Sequence, residues 1–435
     1  LRVLYRTQAE LLWKWRPGPG ALAKRAGLSL LASIVAFFVV AWLLPGLLAI
    51  DSFGSGLVAI LFISAVDLLV RPALLVLVAN RSVALLVLLA LGFQTLVVWA
   101  LTPLIAGVAV EGGIIGAFVV SLFLGAFKGL TGLLVGLDEE GSYYSTLFRT
   151  LASRRQDATH SDEPGLVIIQ TDGVAHDILA HAIRAGRVPN IARWVREGTH
   201  RLGRWEALLP PTTPASQAGI LHGNNDAVPG FRWWEKESGR LLVANHPSDA
   251  TIMERRISDG AGLLSPGGAS ISNIFTGDAE RAFLVQSTIR VKERGLGQTK
   301  AFGYYFLSPY DYLTMLAGFV AEVAKEMWQY RRQRRAGIKP LLHRKLPYPF
   351  VRAATNVALR AVGTSLLIEE MYRGTPVMYM DFTDYDEIAH HSGPERPESL
   401  DALDGIDRQL GILERAAEEA PRPYRFVLVA DHGQC

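Results

Sequence analysis

The sequence predicts two parts, a four-helix transmembrane bundle followed by an α/β domain with a mostly parallel sheet and helices on both faces. Three observations carry this. Half of the 435 residues are hydrophobic (50%) and the mean hydropathy is +0.22, too apolar for a soluble protein of that length. Long apolar runs fill the chain up to Leu137. Beyond Pro164, short β-rich runs that end in Asp alternate with helical patterns, the order expected of a parallel sheet.

The membrane region is expected over residues 1–137. Arg2, Arg6, Lys14, Arg16, Lys24 and Arg25 face one acid, Glu10, and charge then vanishes from Ala26 to Ile50, which reads as a spanning helix with a basic inner flank. Ser55 to Ala79, Val83 to Ile105 and Gly113 to Leu137 are each long enough to cross a bilayer, which takes about 20 residues. Asp67 and Arg71 sit one helical turn apart and can neutralise each other, as a structural pair or as part of an ion path. Gly112 and Gly116, Gly125 and Gly129, and Gly132 and Gly136 give the spacing that lets helices approach closely. The positive-inside rule puts the N-terminus, and after four spans the rest of the chain, on the cytoplasmic side of a multi-pass cell-membrane protein.

Residues 138–164 are polar, of mixed charge and end in Ser161-Asp162-Glu163-Pro164, which reads as a linker to a domain over residues 165–435. The run from Gly165 to Thr171 is a buried strand that delivers Asp172-Gly173 at its carboxyl end, where ligands collect in open α/β sheets. Asp172 is equally suited to cap a following helix. Thr212 and Thr213 lie in a Pro-bounded turn before an apolar helix, where a hydroxyl faces the positive end of the helix dipole or simply caps it. Loops and a cap or lid are expected over about residues 230–370, including the Gly/Ser-rich stretch from Ser258 to Ser272. Within it, Ala282 to Gln286 reads as a strand, and Leu313, Leu316, Val320, Val323, Ala324 and Met327 recur at helical spacing, giving an amphipathic helix from Tyr312 to Tyr330. That helix runs into Arg331, Arg332, Arg334, Arg335, Lys339, Arg344 and Lys345 with no acid among them, suited to anionic lipid headgroups or to plain solvation.

Pro376 to Phe382 is the next strand, and it leads to Asp386-Glu387-Ile388-Ala389-His390-His391-Ser392-Gly393-Pro394. A carboxylate and an imidazole spaced four residues apart present two ligands to one divalent metal from a single helical turn. The run from Phe426 to Ala430 repeats the chemistry by ending in Asp431-His432-Gly433, so two Asp/His pairs suggest two metals. The net charge of +3 gives no reason to expect a nucleic acid partner, and the single cysteine, Cys435, excludes a disulfide framework and a Cys-based zinc site. The start at Leu1 and the stop just after Gln434 lead us to expect a fragment of a longer chain.

From Gly165 to Gln434 the chain resembles the alkaline phosphatase superfamily, and within it the type I phosphodiesterase and nucleotide pyrophosphatase branch. The resemblance rests on four motifs in the family's order: the strand ending in Asp172-Gly173, the Pro-rich turn at Thr213, the pattern from Asp386 to Pro394, and Asp431-His432-Gly433. It implies one metal held by Asp172, Asp431, His432 and the Thr213 oxygen, and another held by Asp386 and His390 with a further His from a later segment. His391 is then a neighbour, not a ligand. Oxygen and imidazole ligands without sulfur fit Zn²⁺, with Mn²⁺ a possible substitute. The implied reaction is attack by Thr213 on the phosphorus of a phosphate ester or phosphodiester and hydrolysis of a phospho-threonine intermediate, with Thr212 the other candidate nucleophile. Some members also bind a phosphate oxygen through an Asn after the nucleophile helix, near where Asn224 and Asn225 lie.

The N-terminal region resembles the small phage-holin-like membrane family through Val70-Arg71-Pro72-Ala73-Leu74-Leu75. The leading expectation is therefore a membrane-anchored two-metal phosphoric ester hydrolase facing a lipid bilayer. The alternatives are a membrane phosphotransferase acting on lipid-linked phospho-groups, and a holin-like protein whose phosphatase-like domain is inactive.

Overall fold

The computed structural model describes residues 19–70, 83–134, 159–207, 209–289, 309–339, 344 and 346–434. The chain divides into two units, residues 1–154 with 298–321, and residues 155–297 with 322–435.

In the first unit α1 (Pro19–Leu43) leads to β1 (Leu48–Ile50), α2 (Phe53–Leu69), α3 (Val83–Leu101), β2 (Val108–Val110) and α4 (Gly113–Leu134). The first apolar run does not stay helical to Ile50. Pro45, which has no N–H to give a helix, sits in a turn after Leu43, and the chain continues as β1, antiparallel to β2 with Leu48 opposite Val110. Ser52 caps α2, its Oγ accepting from the Ser55 N–H at 3.1 Å. Phe37, Val40, Ile60, Ile63, Val98, Val120 and Leu124 form a buried apolar cluster. The outside is apolar as well, with Trp42, Phe53, Leu104 and Ile115 all well exposed. Among the described residues no helix is long and apolar enough to cross a membrane, so the expected bundle of four spans is not shown. Of these helices α2, at 17 residues, is below the length of an ordinary span, and β1 and β2 form a two-stranded ribbon between the helical stretches. Arg71, the basic flank before Pro19 and most of the linker lie outside the described residues.

The second unit is built on a sheet of five parallel strands, in the order β7 (Arg281–Phe283), β6 (Ala269–Ile271), β8 (Val377–Phe382), β3 (Gly165–Thr171), β9 (Tyr424–Val429). The helices are α5 (His176–Arg184), α6 (Pro189–Arg196), α7 (Thr213–His222), α8 (Pro247–Ile257), the far half of α9 (Pro309–Arg335), α10 (Tyr348–Ala353), α11 (Arg360–Arg373), α12 (Asp384–Ser392) and α13 (Pro397–Ala417). Helices cover both faces of the sheet. Ala215, Ala218 and Leu221 of α7 and Ala250 and Met253 of α8 pack against Ile168 and Tyr379. On the other face α11 lies so near β8 that a side chain at Gly363 would meet Met380.

Two expectations change here. The stretch from Ser258 to Ser272, read as loops and lid, supplies β6, a strand of the main sheet only three residues long and too short to show a periodic pattern, while the strand expected over Ala282 to Gln286 forms as β7, shifted to Arg281–Phe283. The hairpin of β4 (Arg232–Glu235) and β5 (Arg240–Val243) is a separate antiparallel pair. Helix α9 forms where expected, with its polar side buried. Val320, Ala324 and Met327 are exposed, while Glu326, Gln329 and Gln333 are buried, because the buried cations Arg352 and Arg344 lie against the polar side. Arg344, expected in the solvated basic run, is therefore inside.

Candidate active site

The register of the sheet decides where the acids meet. Gln170 pairs with Asp381 of β8 and with Val429 of β9, so strands that run the same way end level with one another. Asp172, Asp381 and Asp431 thereby collect at the carboxyl ends of the three adjacent strands β8, β3 and β9, and all three are buried. Asp172 is not a helix cap: the cap position of α5 belongs to Ala175, without a side-chain bond.

Thr213 opens α7 and points into this edge. Its hydroxyl donates to Asp172 Oδ1 at 3.3 Å and lies 3.1 Å from His432 Nε2. Thr212 holds the cap position, but its hydroxyl makes no capping bond and is buried without a partner. His432 Nε2 also lies 3.5 Å from Asp172 Oδ1 and 3.4 Å from Asp431 Oδ2. Ligand atoms of Asp172, Asp431 and His432 fall within 4.8 Å of one another, a spacing that fits a shared cation.

The second pair stands on α12, where His390 Nε2 is 3.2 Å from Asp386 Oδ2 across one helical turn. His391 turns away, its Nδ1 at 2.9 Å from the Glu387 carbonyl and its ring stacked on Tyr348. Gly173 joins the two halves. Its N–H donates to Asp431 Oδ1 at 3.1 Å, and a Cβ built there would lie 2.3 Å from Asp386 Oδ1, so only glycine lets that carboxylate in. Gln434 closes the pair by donating its side-chain amide to Asp386. Asn225 donates to the Leu209 carbonyl at 3.4 Å, across α7, and Asn224 accepts from the Asp226 N–H in a local turn.

Crowded buried acids repel. Burial first, then the charges of Asp381, Asp431 and Asp386, push the Asp172 carboxyl well above the usual carboxylate range. Asp381 is raised in the same way, by burial and then by Asp431 and Asp386. The His390 imidazole is raised chiefly by its bond to Asp386. Among the described residues, Asp431 Oδ2 and Asp381 Oδ1 are buried with no hydrogen-bond partner. Orphaned anionic oxygens beside an imidazole and a hydroxyl fit a divalent cation, because positive charge at that point would satisfy the lone pairs and reverse the repulsion.

Sequence reasoning missed Asp381 and Gln217. Gln217, one turn along α7 from Thr213, donates to Asp381 Oδ2 at 3.0 Å and to Gln170 Oε1 at 3.2 Å, and accepts from the Ile274 N–H at 2.8 Å. The available signal was the same one that marked Asp172 and Asp431, a carboxylate near the end of an apolar run, here Pro376 to Phe382.

A parallel α/β sheet with three carboxylates, an imidazole and a hydroxyl converging on its carboxyl edge is an arrangement suited to hydrolytic chemistry. The sequence model of the type I phosphodiesterase / nucleotide pyrophosphatase family matches residues 166–435, and the chain belongs to that family, as a hydrolase acting on phosphoric esters. No curated protein matches the chain. The family match starts behind the N-terminal region and lends its holin-like resemblance no support.

Proposed function

We propose that the chain is a membrane-held, two-metal phosphodiesterase or pyrophosphatase in which Thr213 is the nucleophile. The observation that carries this is the Thr213 hydroxyl, set between Asp172 and His432 at 3.3 and 3.1 Å at the head of α7. Asp172, Asp431, His432 and the Thr213 oxygen would hold one divalent ion, and Asp386 with His390 would supply ligands to another, Zn²⁺ by donor chemistry with Mn²⁺ as substitute. Bound there, the ions supply Lewis-acid stabilisation of the attacking and leaving oxygens. The chain's own residues do the rest. The N-terminal end of α7 places its positive dipole at the Thr213 oxygen, favouring the alkoxide and the incoming phosphate together. The Thr213 oxygen forms a bond to phosphorus as the ester oxygen leaves, and water then displaces threonine from the phospho-enzyme. Gly173 and Gln434 hold Asp386 in place, and burial keeps bulk water from the acids at the sheet edge.

A membrane location for the first unit is supported by side chains that are apolar both inside the bundle and on its surface, such as Trp42 and Ile115. The charge rule then keeps the second unit on the cytoplasmic side, and a reporter fused after Leu137 reads the side directly. The test of the chemistry is hydrolysis of a chromogenic phosphodiester with Zn²⁺ by full-length protein. Thr213→Ala is expected to lose at least about a thousandfold in kcat at unchanged Tm. Equal activity in the variant and the wild type removes Thr213 from the mechanism.

A further inference from the structure

Helix α9 is amphipathic in reverse. The face it buries is polar: Glu322, Glu326, Gln329 and Gln333 lie against Arg352, Arg344 and Glu398. Arg352 donates from Nε to Glu322 at 2.8 Å and from Nη1 to Gln329 at 3.0 Å, and it also pairs with Glu326. The face it leaves outside is apolar. Val320, Met327 and Trp328 are 54%, 41% and 57% exposed, and Ala321 and Ala324 are exposed beside them. These positions recur three and four residues apart, so they form one stripe along the helix. Arg331, Arg332, Arg334 and Arg335 continue the same stripe, all exposed, with exposed Lys339 just beyond. Among the described residues none of the four arginines has a carboxylate partner, and the Arg332 guanidinium lies 5.2 Å over the Trp328 ring.

This pattern selects its partner by chemistry. The stripe needs an apolar layer, and the basic block at its end needs dense negative charge immediately beside that layer. The boundary between headgroups and acyl chains of an anionic bilayer offers both at that spacing, and an indole over which an arginine stacks suits the same depth. An acidic protein would answer the arginines but not the row of Val320, Ala324 and Met327. We propose that the outward face of α9 is a membrane-surface site, seating Val320, Met327 and Trp328 among acyl chains and Arg331, Arg332, Arg334 and Arg335 on anionic phospholipid headgroups. The site is separate from the phosphoesterase reading and stands whether or not Thr213 is the nucleophile.

The test uses the full chain in nanodiscs of phosphatidylcholine alone or with added phosphatidylserine. Cys435→Ser removes the single native thiol, Ala324→Cys places one on the stripe, and the rate of alkylation by a water-soluble maleimide reports exposure. Each arginine near an anionic surface contributes about a fivefold gain in binding, so phosphatidylserine is expected to slow alkylation at 324 by at least about tenfold. A cysteine at exposed Glu237 is expected to react equally in both discs. Replacing Arg331, Arg332, Arg334 and Arg335 together by Gln is expected to restore the fast rate, with hydrolysis of a soluble phosphodiester unchanged. Equal rates at 324 in the two discs overturn the proposal. So does slow alkylation in lipid-free detergent that depends on protein concentration, which would assign the stripe to a second copy of the chain.

Discussion

Gly173→Ala isolates the contact that joins the two halves of the site. Gly173 has φ +69, a left-handed conformation that costs an L-residue about 1–2 kcal/mol. Its missing Cβ would lie 2.3 Å from Asp386 Oδ1. Asp386 would have to retreat by roughly 1 Å, and a misplacement of that size near the reacting atoms can cost about a hundredfold in rate. Gly186 provides the control. It has φ +68 and nothing within 4 Å of a built Cβ, so Gly186→Ala carries the same backbone strain without the collision. Both variants are expected to lose about 1–2 kcal/mol of stability in urea. Only Gly173→Ala is expected to lose about a hundredfold in kcat/KM against a chromogenic phosphodiester with Zn²⁺. If the two variants hydrolyse it at equal rates, Asp386 has no place in the chemistry that Gly173 protects.

Stability of the metal-free protein depends on pH with a definite sign. Asp172 and Asp381 are raised above their unfolded values near 4, so their contribution is complete below about pH 4 and is lost as pH rises through the raised values. Chelated protein is expected to show a Tm that falls as pH rises above the unfolded carboxylate range, with the fall removed by Zn²⁺ and reduced by Asp381→Asn; a flat profile in chelator contradicts the crowding of these acids. Gln217→Leu strips partners from the Ile274 N–H and the Asp381 carboxylate, both buried, and is expected to cost about 3 kcal/mol in urea unfolding; a cost under about 0.5 kcal/mol shows that the network under α7 holds nothing.

Local patterns in the chain carried a good part of the fold. Gly165 to Thr171 forms a strand over the residues its β-rich run marks, and Pro376 to Phe382 and Phe426 to Ala430 lie within one or two residues of β8 and β9. β3 and β8 are long enough for burial on both faces to write a continuous apolar run, while β9, at the sheet's edge, leaves Arg425 and Val427 exposed. The pairing of Asp386 with His390 needs only the pitch of one helical turn. β6 left no such trace because three residues hold too little pattern, and it exists through its pairing with β7 and β8. Four apolar stretches were legible as four helices, but reading them as four spans went beyond what the described residues show. Helical spacing marks α9 as amphipathic but not which of its sides is buried, because periodicity reports only which residues share a side.

By itself the sequence determined the residue types and the short-range geometry: an acid at the end of each site strand, a threonine at the head of a helix, and an Asp and a His one turn apart. Tertiary structure alone decided which of these meet. Parallel pairing brings Gln170 level with Asp381 and Val429, so three acids from distant strands share one edge, and Asp381 joins them although no motif announced it. The bare Cα of Gly173 admits Asp386, and two buried arginines turn α9 so that its apolar stripe faces outward. Such outcomes depend on contacts between residues far apart in the chain, whose free energies no local window contains.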